Sequence, residues 1–167
     1  MSSKTQSTRY KFLNDPNALF TETSDLPSAI AASRNILGAT PANPAGTTST
    51  IPVMMGLSIS FTPLYSGRVK IIISGEASNN TAADGFIVNA AYGTGAAPAN
   101  GNAATGTTIG NSVSGASAVA NALLPFSIVA VVTGLTVGTA IWVDLRLAAV
   151  TGGTASVSNL SVIVEEF

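Results

Sequence analysis

From residue 51 onward the apolar side chains fall at every second position, the period of a strand with one face on a core and the other in water. Leu57, Ile59 and Phe61 alternate with Ser58, Ser60 and Thr62. After a Ser66-Gly67 turn, Val69, Ile71 and Ile73 repeat the alternation, with Lys70 and Ser74 on the other side. Asp84-Gly85 interrupts the chain before residues 86–92 resume in strand-forming types. The pattern is clearest in the last third, where residues 125–133, 139–150 and 155–165 read as three strands separated by turns at 134–138 and 151–154. Turns of that length predict an antiparallel meander. In its middle strand Ile141, Val143, Leu145 and Leu147 share one face, and Trp142, Asp144 and Arg146 share the other. Asp144 and Arg146 are expected to pair with neighbours on that outer face.

Six to eight strands at these spacings predict an all-β, antiparallel sandwich of jelly-roll type over residues 51–167. Residues 1–50 lack the alternation and read as an extended N-terminal arm. Within it, Asp25 can cap a short helix at 29–37 that Gly38 stops, and residues 39–50, rich in Pro, Gly, Ala and Thr, read as a linker. Residues 93–121 form a low-complexity run of Gly, Ala, Thr, Asn and Ser. That run reads as a long surface loop or a pair of poor edge strands, with weak strand content near 107–113; a specific binding loop is the alternative.

Charge is scarce: the 167 residues hold seven Lys/Arg and eight Asp/Glu, with none across 35–67 or 85–143. A net charge of −1 without a basic cluster neutralises few phosphates and argues against nucleic-acid binding. Residues 123–143 are long and uncharged enough to cross a bilayer. Pro125, Gly134, Thr136 and Gly138 interrupt them, however, and Val, Ile and Thr dominate, so two strands and a turn are expected instead of a membrane helix. The polar N-terminal residues lack a secretory signal, which leaves the cytoplasm that made the chain as its expected location.

Few residues are available for catalysis. Without Cys or His the chain has no disulfide, no imidazole base, no Ser-His-Asp triad and none of the common zinc ligand sets. Glu76, Asp84, Asp144, Glu165 and Glu166 are the carboxylates beyond the linker, and their spacing does not place two in one cleft. Glu76 and Asp84 flank a polar turn and read as solvated strand ends, with calcium coordination as the alternative. Lys70 reads as a solvated outward side chain, and Gly93-Thr94-Gly95 as a turn. Asn79-Asn80-Thr81 and Asn159-Leu160-Ser161 match the glycosylation pattern by chance. Trp142, Tyr92 and Tyr65 lie on three separate segments and are expected in core or subunit packing instead of on a sugar-binding platform. The chain is therefore expected not to be an enzyme and to need no metal or cofactor.

A mean hydropathy of +0.43 with 46% hydrophobic residues exceeds the need of one small sandwich core. Ile72, Ile87, Val129 and Val131 fall on faces opposite the core set. Those faces call for a partner, because left open they would aggregate.

The stretch VVTGLTVGTAIWVDLRLAAVTGGTASVSNLSVIVEEF carries three marks: Gly-Leu-Thr-Val-Gly at 134–138, Trp-Val-Asp-Leu at 142–145 and Thr-Gly-Gly-Thr-Ala at 151–155. On these it resembles the closing strands of small jelly-roll domains in tailed-phage virion proteins, similar in architecture to the trimeric heads of the tumour-necrosis-factor and C1q type. The resemblance covers residues 131–167 in wording and 51–167 in architecture. It implies a homotrimer whose arm fastens the head to a larger assembly. The expectation is a bacteriophage capsid decoration or cement protein, bound to the major capsid protein or another virion protein, assembled in the host cytoplasm and located in the virion. Arg9, Tyr10, Phe12, Leu19 and Phe20 are the candidate shell contacts in the arm. Ile72, Val129, Val131 and Trp142 are the candidate trimer interface. The chain has no fibrous shaft or coiled-coil heptads, unlike longer tail fibres. A receptor-binding tip or adhesin recognising host glycan or protein through residues 93–117 is the alternative, and a hydrolase the third reading.

Overall fold

The computed structural model describes residues 35–167. Nine strands follow one another: β1 (Ile36–Ala39), β2 (Val53–Met54), β3 (Ile59–Phe61), β4 (Val69–Asn79), β5 (Gly85–Thr94), β6 (Thr107–Ala116), β7 (Leu124–Val132), β8 (Ile141–Ala149) and β9 (Ala155–Glu166). They form two sheets, ordered β1-β9-β4-β7 and β2-β8-β5-β6, with β3 continuing beside β8. Every pairing is antiparallel. With β2 and β3 taken as one interrupted strand, the order becomes 1-8-3-6 in one sheet and 2-7-4-5 in the other. That order arises when a long antiparallel hairpin ribbon is wound around a sandwich, which makes the fold a jelly roll.

The alternation places the core as expected. In β7 the inward Phe126, Ile128, Ala130 and Val132 are buried, and the residues between them are exposed. They meet Ile71 and Ile73 of β4, Val88 of β5, Leu145 and Leu147 of β8, and Val162 and Val164 of β9 in one cluster. Each fully buried Leu, Ile or Val in that layer contributes about 1.5–3 kcal/mol by removal from water. Residues 123–143, the run long enough for a bilayer, resolve into β7, a turn and the start of β8.

Two expectations change. The end of the helix predicted at 29–37 is instead strand: Ile36 to Ala39 pair with Glu165 to Val162 along the edge of β9. An open strand edge offers backbone partners that an isolated turn of helix lacks. The remainder of that predicted helix lies outside the described residues. The stretch read as a linker is stitched to the sandwich, since Thr47 and Ala155 exchange both backbone hydrogen bonds and Ser49 O accepts from Ala149 N. Backbone pairing of this kind leaves no period in the side chains. The low-complexity run divides into β6, an edge strand, and two loops, 95–106 and 117–123.

Candidate functional site

The two sheets present unlike outer faces. On the sheet containing β8, Trp142, Asp144 and Arg146 point away from the core, and the chain's own loops close over all three. Trp142 is 5% exposed, clusters with Met54 and Ala91, and donates its indole N–H to Thr94 O at 3.2 Å. Its ring lies so close to Gly93 and Gly106 that a Cβ there would sit 2.4 and 2.3 Å from it. Only glycine fits, and Gly106 also holds a positive φ of 78°. Arg146 donates to Thr105 O at 2.6 Å, to Gly106 O at 2.8 Å and to the Thr108 hydroxyl, tying loop 95–106 across the face. Asp144 accepts the amides of Gly56 (2.9 Å), Leu57 (3.0 Å) and Leu145 (2.8 Å), which anchors the connection between β2 and β3. Burial raises its pKa above the ordinary value and outweighs those amides. The two charged groups thus hold different loops and do not pair with each other.

The opposite face, on β1-β9-β4-β7, is left open by the described residues. Ile72 sits between Val129 on one side and Ile163 on the other, with Gly38 beyond Ile163. In the adjacent row Lys70 sits between Val131 and Glu165, and Ile36 lies beyond Glu165. Val129 is 56% exposed, Val131 57% and Ile163 39%. Lys70 and Glu165 neutralise each other at 3.4 Å. On the other side of the apolar row, Ser74 is flanked by Ser127 and Ser161. The result is an apolar band bordered by a closed ion pair and a row of hydroxyls.

Three of the four candidate interface residues, Ile72, Val129 and Val131, therefore share one surface. The fourth does not join them: Trp142 lies on the other sheet, where Met54 and Ala91 pack on it and Gly93 and Gly106 let its own chain close over the ring. Arg9, Tyr10, Phe12, Leu19 and Phe20 lie outside the described residues. Tyr92 faces inward opposite Val143 and Tyr65 stands in the loop before β4, so the aromatics form no platform.

Of the remaining carboxylates, Glu166 and Asp84 are engaged with backbone amides and Glu76 with a side chain. Glu166, at the end of β9, accepts amides from four consecutive residues: Leu64 (2.7 Å), Tyr65 (2.8 Å), Ser66 (2.6 Å) and Gly67 (3.2 Å). The Asn35 side chain reaches the same carboxylate at 3.4 Å. Burial would raise its pKa, but the run of amides prevails and holds it at about 2. Asp84 accepts amides from Thr151 (3.0 Å), Gly152 (2.6 Å) and Gly85 (2.7 Å), clamping the turn before β9 to the start of β5. The Thr151 amide leads in holding Asp84 below the ordinary value, against the opposing effect of burial. Glu76 takes the side-chain amide of Asn159. Each acid serves a different connection, and among the described residues no three metal-ligating side chains converge. Sequence reasoning missed the Glu166 clamp, although its signal was present: Glu166 continues the inward phase of Val162 and Val164, where a carboxylate needs donors.

No protein-family model matches the chain. No curated protein matches it in sequence. Among solved structures it is similar to a chain of infectious bursal disease virus, strain Gt, at 10% identity and a TM-score of 0.48, over 79% of this chain and 33% of that one. It is also similar to the vertex protein P5 of PRD1, at 14% identity and a TM-score of 0.42, over 79% and 93%. A third likeness is to the latent dimeric PorU of Porphyromonas gingivalis, at 10% identity and a TM-score of 0.45, over 80% and 13%. The chain thus spans about a third of the length of the bursal disease virus protein. These are likenesses of architecture, and the jelly-roll assignment rests on the chain's own strand pairing.

Proposed function

We propose that this chain is a non-enzymatic structural protein of a bacteriophage virion, a capsid decoration or cement protein. It associates with itself as a homotrimer and is fastened to the shell by its N-terminal residues. The observation that carries the reading is the inequality of the two outer faces. One is sealed by loops tied down through Arg146 and Asp144, while the other leaves Val129, Val131 and Ile163 in water around Ile72. Size is near what self-association needs. The four strands of that sheet hold 4, 12, 11 and 9 residues, each residue covering about 16 Å² of face, which gives roughly 570 Å² per copy, near the lower end of the standard range around ~800 Å² per partner. Internal pairing of Lys70 with Glu165 leaves the band without net charge, so like copies meet without repulsion.

Light scattering tests the assembly: the expected mass is three times the chain's 16.7 kDa, falling to one chain in Val129→Lys/Val131→Lys. A stable wild-type monomer would sink the idea. Shell binding tests the anchor, because deletion of residues 1–34 is expected to abolish capture by shells stripped of this protein. Undiminished capture would refute it. The receptor-binding alternative draws less support, since residues 95–106 of its recognition loop are held against the sheet by Arg146.

A further inference from the structure

The end of the sandwich where the chain enters β1 is braced by main-chain hydrogen bonds and a buried carboxylate, yet it carries exposed apolar side chains. Loops 62–68 and 133–140 are joined by Gly138 N to Pro63 O at 2.7 Å and by Leu135 N to Gly67 O at 3.0 Å. Glu166 gathers the amides of residues 64–67. Asn35 closes the group: its carbonyl accepts from Glu166 N at 2.9 Å and its side chain donates to Thr62 O at 2.7 Å. On this braced frame Leu64, Tyr65, Val137 and Phe167 each remain about half exposed. Single exposed apolar side chains are ordinary on a protein surface, but these four sit on two loops and a strand end that are hydrogen-bonded to one another, which makes them a fixed cluster. Rigid apolar groups are what a docking surface needs, because little side-chain or loop entropy is lost when a partner arrives.

We propose that this end is a second docking surface, occupied by the shell protein that holds residues 1–34. The inference rests on the anchoring role proposed above. Its argument is connectivity: residues 1–34 join the body at Asn35, inside the clamp itself, so a partner gripping that segment meets this end of the sandwich first. Charge narrows the partner's chemistry. The Glu166 carboxylate is enclosed by amides, and Glu165 is paired with Lys70. Arg68 is exposed, with its guanidinium 5.0 Å from the centroid of the Phe167 ring. The matching surface is apolar and carries a carboxylate near its rim. Four half-exposed side chains fall short of a standard interface area. The end therefore acts together with the N-terminal segment, each raising the effective concentration of the other.

The experiment uses the full chain and shells stripped of it. Val137→Glu is expected to bind the shells about tenfold more weakly, with oligomer mass and melting temperature unchanged, because the position is exposed and lies outside the Glu166 clamp. Arg68→Glu, a second variant that leaves the apolar groups in place, is expected to weaken binding severalfold and to steepen the loss at low salt. Equal binding by wild type and both variants overturns the docking surface and leaves the anchoring reading intact. Failure of the wild-type chain to bind overturns both. A fall in oligomer mass in Val137→Glu makes a second copy the occupant and also overturns the proposal.

Discussion

Glu166→Gln keeps the length of the side chain and removes its charge, and the structure sets the size of the consequence. The carboxylate now satisfies four consecutive amides with two oxygens. Glutamine offers one oxygen and turns an NH2 group toward at least one of those N–H donors. The pKa of Glu166 falls from an ordinary 4.5 to about 2, which corresponds to about 3 kcal/mol of preference for the charged form at neutral pH. Because the 62–68 loop is bathed in solvent, we reduce this to about 2 kcal/mol. For a domain of this size such a loss lowers the melting temperature by roughly 8 °C.

The sign follows from the depressed pKa. The stabilisation is fully present above pH 4.5 and is lost as pH falls toward 2, whereas the glutamine variant has no such group to titrate. Wild type and variant should therefore differ by about 2 kcal/mol at pH 7 and converge near pH 2. Asp84 also contributes an acid-sensitive slope, but it is common to both proteins and cancels in the difference. Thermal melts across pH 2 to 7 at one fixed protein concentration supply the measurement, since association would otherwise shift the midpoint. A difference below about 2 °C at pH 7, or one that persists undiminished at pH 2, would refute the clamp.

Gly106→Ala is expected to cost at least about 2 kcal/mol, because its methyl group would meet the Trp142 ring and the Tyr92 carbonyl at a positive φ; chemical denaturation reads the loss directly. Arg146→Met should leave the fold intact and loosen the end of loop 95–106 beyond the residues that Met54 and Met55 hold, so limited proteolysis is expected to cut near residues 103–106 first; cleavage no faster than in wild type would show that the two guanidinium contacts to Thr105 and Gly106 do not restrain the loop. Leu145→Ala, in the centre of the core, should destabilise by about 2–5 kcal/mol in the same denaturation assay.

The class of fold was legible in the sequence because strands announce themselves locally. The alternation in 57–61, 69–73 and 125–133 names the inward residues without reference to their partners, and the turns at 134–138 and 151–154 delimit β8 and β9. The same alternation marked Ile72, Val129 and Val131 as outward and apolar, and it placed Glu166 on the inward phase, although that sign went unread. Period alone cannot say which strands become neighbours. Ile72 and Val129 lie far apart in sequence, and only the order β1-β9-β4-β7 sets them side by side with Ile163. Nor can period tell one outward face from the other. Trp142 and Val131 carry the same outward phase and met opposite fates, one covered by loop 95–106 and one left open, because coverage depends on where a loop with no period of its own comes to rest. The backbone-only attachments of residues 36–49, and the four amides collected by Glu166, were hidden for the same reason. They are made by main-chain groups that every sequence possesses, and only the closed sandwich brings them together.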